Sequence, residues 1–454
     1  MMMTQNIFSF FTDPILRAPT IGCMLMCLVA SLMGVILFLR RQSLIGEALA
    51  HASYPGVLLG VLGAGIFSIQ ESQELQLSLF ILIGAFLTAL AGLGAIHVLE
   101  KRLRVPSDAA LCFILSTFFG VGLTIASEVQ FSFTSLYKQA LTYLYGQAAT
   151  MTDLHIAIYG ILALLVILMI FFLYKELQVM TFDRQYAKSL GIPVHFIEMI
   201  LFILVALAVI IGIRSVGVVL MSAMLIAPAV AARQFTHRLS ILLILAAFFG
   251  MLSGFLGNYF SVQLTEMLAQ SYPAARLILP TGPMIVLVAT VICLGALLIA
   301  PERGILVRLW LMERFRHTCL CENILKIMWQ MSPYTAISLQ QIANDQTLSR
   351  LYLKIILWQM VQKGWIKQEG ENFFHLTSDG QQKAERIVHL HRLWEVYFAN
   401  DLGRVSDRVH CNAKEMEHLL TPELEDELMS LLHHSKQDLH QQLIARCQEK
   451  LHAS

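Results

Sequence analysis

The sequence predicts an all-α polytopic membrane bundle of about nine transmembrane helices, followed by a polar part that folds separately. Three observations carry this prediction. Of the 454 residues, 57% are hydrophobic and only 14% charged, and the mean hydropathy of +0.66 lies outside the range of soluble domains. The charges are unevenly shared, residues 1–300 holding 26 of the 63 Asp, Glu, Lys and Arg residues and the remaining 154 holding 37, so the two parts face different solvents. Finally, the apolar residues before position 300 fall into runs near the ~20 residues that cross a hydrocarbon core.

In chain order, the candidate spans are 20–39, 55–69, 77–98, 109–126, 155–174, 195–213, 215–232, 239–263 and 284–300. The second is short, and only the region of Arg214 separates the sixth from the seventh, so eight or ten also fit. Lys and Arg distribute asymmetrically about these spans. One side carries Arg40, Arg41, Lys101, Arg102, Arg104, Lys175, Arg184, Lys188, Arg233 and Arg238, with Arg303, Arg308, Arg314 and Arg316 after the last span; the other carries Arg17, Lys138, Arg214 and Arg276. Fourteen against four predicts an external N-terminus and a cytoplasmic chain after residue 300. The start, MMMTQNIFSFFTDP, lacks the basic segment and small-residue cleavage site of a secretory signal. Eight scattered cysteines imply no disulfide framework, and a net charge of +1 argues against wholesale coating of nucleic acid.

Several features exceed what a plain bundle needs. In RRQSLIGEALAHASYPG, Glu47 and His51 lie one helical turn apart in a segment returning toward the membrane, where ionisable groups are costly and point to function. A histidine that only satisfies backbone is the plain alternative. Asp108, in PSDAALCFILSTFFGVG, reads as a helix N-cap or as a cation contact. Glycine-rich GVLLGVLGAG and GAFLTALAGLGA predict close helix approach. The polar loop TFDRQYAKSLGIP is long enough for a short helix, either a solvated linker or a piece that docks on another subunit. The chain has no GxxxxGK[ST] phosphate loop, so ATP-driven work requires a separate polypeptide.

Together RRQSLIGEALAHASYPG, SDAALCFILSTFFGVG, TFDRQYAKSLG, VGVVLMSAMLIAPAVAA and LPTGPMIVL resemble the manganese, zinc and iron permeases of bacterial ABC importers, over nearly all of residues 20–300. The resemblance implies a dimer of permease subunits, homo- or heterodimeric, cytoplasmic ATPases and an external metal-binding protein delivering a divalent cation. By the resemblance His51 sits in the helix pair nearest the ion path, where Glu47 and Asp108 are the further transport-path candidates, and the TFDRQYAKSLG loop is the ATPase-coupling element, with Phe182, Asp183, Arg184 and Gly191 as its candidate residues.

After the last span, PERGILVRLWLMERFRHTCLC (301–321) alternates basic and apolar residues and reads as a membrane-surface segment in contact with lipid or as an interdomain linker. Its C-x-C pair, Cys319 and Cys321, is a weak metal signal. From 322 the pattern is soluble: helices in ENILKIMWQM, AISLQQIAND and TLSRLYLKIILWQMVQKGWI, two short strands around Gly370 and Glu371, and a turn at Gly380. Three helices and a hairpin predict a winged helix-turn-helix, whose third helix would offer Ser349, Arg350, Tyr352 and Lys354 to DNA. A protein-interaction module of the same shape is the alternative. Farther on, His391 and Glu395 are four apart, and His410, Glu417 and His418 share another helical face. Imidazole with carboxylate suits Mn, Fe or Zn.

SLQQIAND, the helix from Ser349 to Lys363, LTSDG, HRLWE and VHCNAKEMEH resemble, in order and spacing, the metal-dependent repressors of the diphtheria-toxin-repressor and manganese-regulator family, over about 322–445. The resemblance implies one metal position at His391, Glu395 and His410, another using Glu417 and His418, and a first-helix ligand at Glu322 or Asn323. Lys414 departs from the pattern, standing where the family has Cys or Glu; an ammonium repels a cation. Cys411 and Glu415 are nearby substitutes. A permease joined to such a regulator resembles the fused metal permease-regulators of chlamydiae.

The expected organisation is a permease domain at 1–300, a linker at 301–321, a winged helix-turn-helix domain at 322–385, and a helical metal-binding and dimerisation domain at 386–454. The expected function is an inner-membrane importer subunit, itself no enzyme, with iron, manganese or zinc as both cargo and corepressor and operator DNA as a partner. Proteolysis within 301–321 would release the repressor. The rival is a membrane-tethered sensor whose bundle no longer transports.

Overall fold

A computed structural model describes residues 8–66, 74–132, 137, 141, 143, 144, 146, 148–271, 279–301, 304–331, 336–345, 350–370 and 373–401. The chain divides into two compact units, Met1–Arg308 and Leu309–Ser454.

The first unit is wholly helical among the described residues. A short α1 (Ser9–Thr12) leads into α2 (Pro14–Leu39), which starts cleanly because Asp13 accepts a hydrogen bond from the Ile15 backbone N–H and Pro14 occupies the first helical position. There follow α3 (Leu44–Ile66), α4 (Glu74–Lys101), α5 (Ser107–Ser132), α6 (Asp153–Phe172), α7 (Tyr174–Phe182), α8 (Arg184–Ser189), α9 (Val194–Val216), α10 (Val218–Arg233), α11 (Leu239–Ser271) and α12 (Thr281–Ile299). Eight of these helices are long and apolar enough to cross a membrane; α10 is apolar but shorter. Among the described residues, each of the nine sequence-predicted spans lies mainly on helix, and eight helices have the length of a crossing. The second begins eleven residues earlier than expected, so Glu47 and His51 belong to the spanning helix itself. The sequence signal broke at Pro55, which α3 accommodates inside the helix even though it removes one backbone donor.

The bundle is organised around α2 and α3, each 72% buried across its most apolar window, whereas α4, α5 and α12 are 28% buried and leave broad apolar faces exposed. Cys23, Cys27, Met33, Tyr54, Tyr159, Met221 and Leu225 are fully enclosed. Glycine permits the closest approaches. A Cβ on Gly56 would lie 2.2 Å from the Gly84 carbonyl oxygen, and one on Gly84 would lie 2.3 Å from that of Gly56, so α3 and α4 touch backbone to backbone as the glycine pattern predicted. Gly217, at φ +95°, is the single residue joining α9 to α10.

The second unit is entered along α13 (Ile305–Met331). It continues with β1 (Ile337–Ser338), α14 (Leu339–Asp345), α15 (Arg350–Gln362), β2 (Ile366–Glu369), β3 (Phe373–Leu376) and α16 (Ser378–Asp401). The strands form an antiparallel sheet in the order β1-β3-β2, with Ile337 opposite Phe374 and Ile366 opposite Leu376. Ile324, Leu325, Met328, Ile342, Leu353, Ile356, Met360 and Phe374 make its core. Helix–helix–helix–hairpin order is as expected, but three local expectations are corrected, the first being that Ile337 and Ser338, expected within the second helix, instead pair with β3 as a third strand. The stretch 301–321 is helical from Ile305 onward, continuous with ENILKIMWQM, because its arginines leave a run of good helix formers uninterrupted. Gly380 is no turn: it sits in the first turn of α16, where its N–H donates to Thr377 Oγ1 and a Cβ would fall 1.9 Å from the Trp365 carbonyl oxygen.

Candidate ion path and coupling face

Helix α3 holds the first candidate pair. Glu47 is half-buried in the first turn, and His51, one turn deeper, is 8% exposed. The His51 ring meets Phe119 of α5 edge-on, with centroids 4.8 Å apart, and its buried Nδ1 has no hydrogen-bond partner among the described residues. A buried imidazole nitrogen left unsatisfied is destabilising, so its retention is unlike the simple satisfied histidine. Asp108 is placed apart in character: exposed, in the first turn of α5, where a carboxylate interacts favourably with the helix dipole. Among the described residues, no three His, Cys, Asp or Glu side chains are grouped to hold a metal ion, so Glu47, His51 and Asp108 are not assembled into one.

The TFDRQYAKSLG segment forms the second candidate site. Phe182 ends α7 and is 66% exposed; Asp183 then caps α8, its Oδ1 accepting from the Gln185 and Tyr186 N–H groups at 2.9 Å each. Gly191, at φ +77° with open space around it, turns the chain toward α9. Tyr186 and Leu190 are exposed as well. Arg184, itself half exposed, donates to Glu198 Oε2 at 2.6 Å.

Glu198, in the second turn of α9, was missed by sequence reasoning. Its side chain is 8% exposed, and its other oxygen, Oε1, accepts from Arg40 at the end of α2. Burial pushes the Arg40 guanidinium down from its usual pKa, opposed by the charge of Glu198. The one sequence signal was an acidic residue within an otherwise apolar span.

In the second unit, Glu322 is half-buried on α13. Cys321 packs in the core, where burial pushes its thiol up, away from the thiolate that binds metal. Arg350 opens α15; Tyr352 donates to Glu313 at 3.3 Å, and Lys354 is exposed. Backbone positions place His391 and Glu395 one turn apart on α16. Ser349, His410, Glu417 and His418 lie outside the described residues.

Comparison with known proteins finds two families on separate stretches of the chain. Residues 12–300 match the ABC 3 transport family, and residues 377–446 match the iron dependent repressor, metal binding and dimerisation domain. A probable metal transport system membrane protein of Chlamydia trachomatis is 34% identical over 445 residues, covering 96% of this chain and 97% of that one. The manganese transport system membrane protein of Bacillus subtilis is 32% identical, covering 84% of this chain and 83% of its own length. Among solved structures, PsaBC from Streptococcus pneumoniae in complex with Fab aligns with a TM-score of 0.53 at 26% identity, covering 65% of this chain and 96% of that one. The chain therefore belongs to the ABC 3 transport family, as a multi-pass metal permease fused to an iron-dependent-repressor-type C-terminal domain.

Proposed function

We propose that this chain is the membrane subunit of an ATP-driven importer of free divalent cations (iron, manganese or zinc) in a bacterial inner membrane, and that its C-terminal part is a metal-dependent repressor of transcription. The observation that carries the transport reading is His51. It is a buried imidazole with an unpartnered nitrogen, one turn from Glu47 on a central span of a metal permease. Glu47 and His51 offer oxygen and nitrogen donors to a passing cation, and Asp108 offers a carboxylate in the first turn of α5.

ATP hydrolysis is assigned to a separate cytoplasmic subunit docking on Phe182, Asp183, Arg184 and Gly191. The exposed Phe182, Tyr186 and Leu190 suit such docking. An external metal-binding protein supplies the cation, and a second permease subunit, identical or not, completes the pathway. With α10 counted as a crossing, nine crossings put the N-terminus outside and the C-terminal part in the cytoplasm, in keeping with the Lys and Arg asymmetry.

In the C-terminal part, α13, α14, α15 and the β2–β3 hairpin serve as a winged helix-turn-helix over 322–385, with Ser349, Arg350, Tyr352 and Lys354 toward operator DNA. Residues 386–454 hold the corepressor metal through His391, Glu395, His410, Glu417 and His418, with Glu322 contributing from α13. This mixed imidazole and carboxylate set fits iron, manganese or zinc. The bound cation would supply positive charge shared by ligands from different helices. Release of the regulator follows from a cut within 301–321, favoured before the helix starts at Ile305.

Uptake of radioactive iron, manganese and zinc by the chain assembled with its ATPase tests the transport reading; absence of uptake for all three overturns it. An antibody to the C-terminus tests release. A soluble fragment beginning near residues 300–325 is expected, and full-length membrane protein alone during active repression overturns it.

A further inference from the structure

We infer that Glu198 is a positioning residue that links the ATPase-facing helix α8 to the ion-path helix α3, a role that rests on the transport reading above. Each oxygen of its carboxylate is held by a different guanidinium, Oε2 by Arg184 and Oε1 by Arg40. Arg184 is the first residue of α8, fixed there by the Asp183 cap. Arg40 closes α2 and opens the turn of residues 40–43 that leads into α3, four residues before the helix that presents Glu47 and His51. Arg40 is also held against α9 by the Phe202 ring, its guanidinium carbon 5.9 Å from the ring centroid. Two surfaces that are far apart in sequence therefore converge on one carboxylate.

The burial of the three members is unequal, and this gives the link a direction. Glu198 and Arg40 are 8% and 9% exposed, whereas Arg184 is 55% exposed. Withdrawing Arg184 leaves a neutral buried pair and is inexpensive, because water can take over its contacts. Withdrawing Glu198 from Arg40 leaves a buried charge without its counter-ion and is costly. Displacement of α8 by a docked ATPase thus loosens or tightens the Arg184 contact while α9 and the α2–α3 turn stay joined. The change in the field around the Glu198 carboxylate is felt by Arg40, and through the turn by α3.

The test uses the full chain assembled with its ATPase, with its exposed cysteines replaced by serine and a fluorophore on Leu44→Cys at the start of α3. Two quantities are read: the ATP-dependent fluorescence change, and radioactive manganese imported per ATP hydrolysed. Wild type is expected to show the fluorescence change. Arg184→Gln, which keeps the buried Arg40–Glu198 pair intact and so preserves the fold, is expected to lose most of it and to import at least 10-fold less manganese per ATP, with an unchanged KM for manganese. Glu198→Gln is expected to do the same and Glu198→Asp to restore part of the coupling. Retention of the fluorescence change in Arg184→Gln, or its absence in wild type, overturns the proposal. A fluorescence change in wild type without uptake of any metal overturns the transport reading while leaving the link standing.

Discussion

Replacing Gly56 or Gly84 by alanine should separate α3 from α4. The new methyl on Gly56 would meet Thr88 Oγ1 at 2.1 Å and the Gly84 carbonyl oxygen at 2.2 Å; that on Gly84 would meet the Gly56 oxygen at 2.3 Å. Comfortable separations are about 3.5–4 Å, so the helices must part by roughly 1 Å or more. The obstructing atoms are largely backbone and cannot rotate aside. Overpacking of this kind costs about 1–3 kcal/mol or more, offset by the ~1 kcal/mol that alanine gains over glycine in a helix. Gly94, Gly120 and Gly295 supply internal controls, since a Cβ there meets nothing within 4 Å. Gly94→Ala should keep only the propensity gain. The propensity gain is common to both, so between Gly56→Ala and Gly94→Ala the expected gap is about 1–3 kcal/mol, measured as the shift in unfolding midpoint of the full chain in mixed micelles titrated with a denaturing detergent. Equal midpoints for the two variants would refute the backbone-contact reasoning.

His51→Leu removes an unsatisfied buried nitrogen, so the folded bundle should be as stable as wild type or more so, while metal uptake falls by at least about 10-fold; a stable variant with full uptake excludes His51 from the path. Charge reversal at Asp183 and Arg184 should abolish uptake while the protein remains in the membrane, checked by uptake alongside immunoblotting of membranes, and unchanged uptake removes the coupling role. Replacing His391 and Glu395 by alanine should weaken metal-stimulated operator binding by about 10-fold to 100-fold, read by fluorescence anisotropy with and without chelator. Chelator-insensitive binding in wild type would show those residues to be decorative.

What the sequence made legible follows from the range of the interactions involved. The spans were readable because burial in lipid forces about 20 apolar residues into one run, and the glycine contacts because small residues recur on one helical face. The start of α3 was misplaced because Glu47, His51, Ser53 and Pro55 interrupt that run within a single helix. Helix α13 was partly read as a linker because charges at Arg308, Glu313, Arg314 and Arg316 mimic a composition boundary without breaking the helix. Glu198 could be flagged only as an isolated acid, since its partners are 158 and 14 residues away and nothing local names them. The β2–β3 hairpin was visible from its flanking residues at Gly370, whereas β1, two residues long, carries too little pattern to register. Of the ligands expected in the regulator, the described helix α16 carries only His391 and Glu395.

The length of α10 also bears on the lipid around the protein. Its 16 residues rise about 24 Å, short of the ~30 Å hydrocarbon thickness of a typical bilayer. Gly217 joins it to α9 without a loop that could make up the difference. Neighbouring helices shield α10 from the acyl chains, Val219 being its one exposed residue, while α11, at 33 residues and about 50 Å, is long enough to tilt. Hydrophobic length is thus uneven within one molecule, and the acyl-chain length of the host membrane acts on the long, partly exposed α11 and not on the enclosed α10.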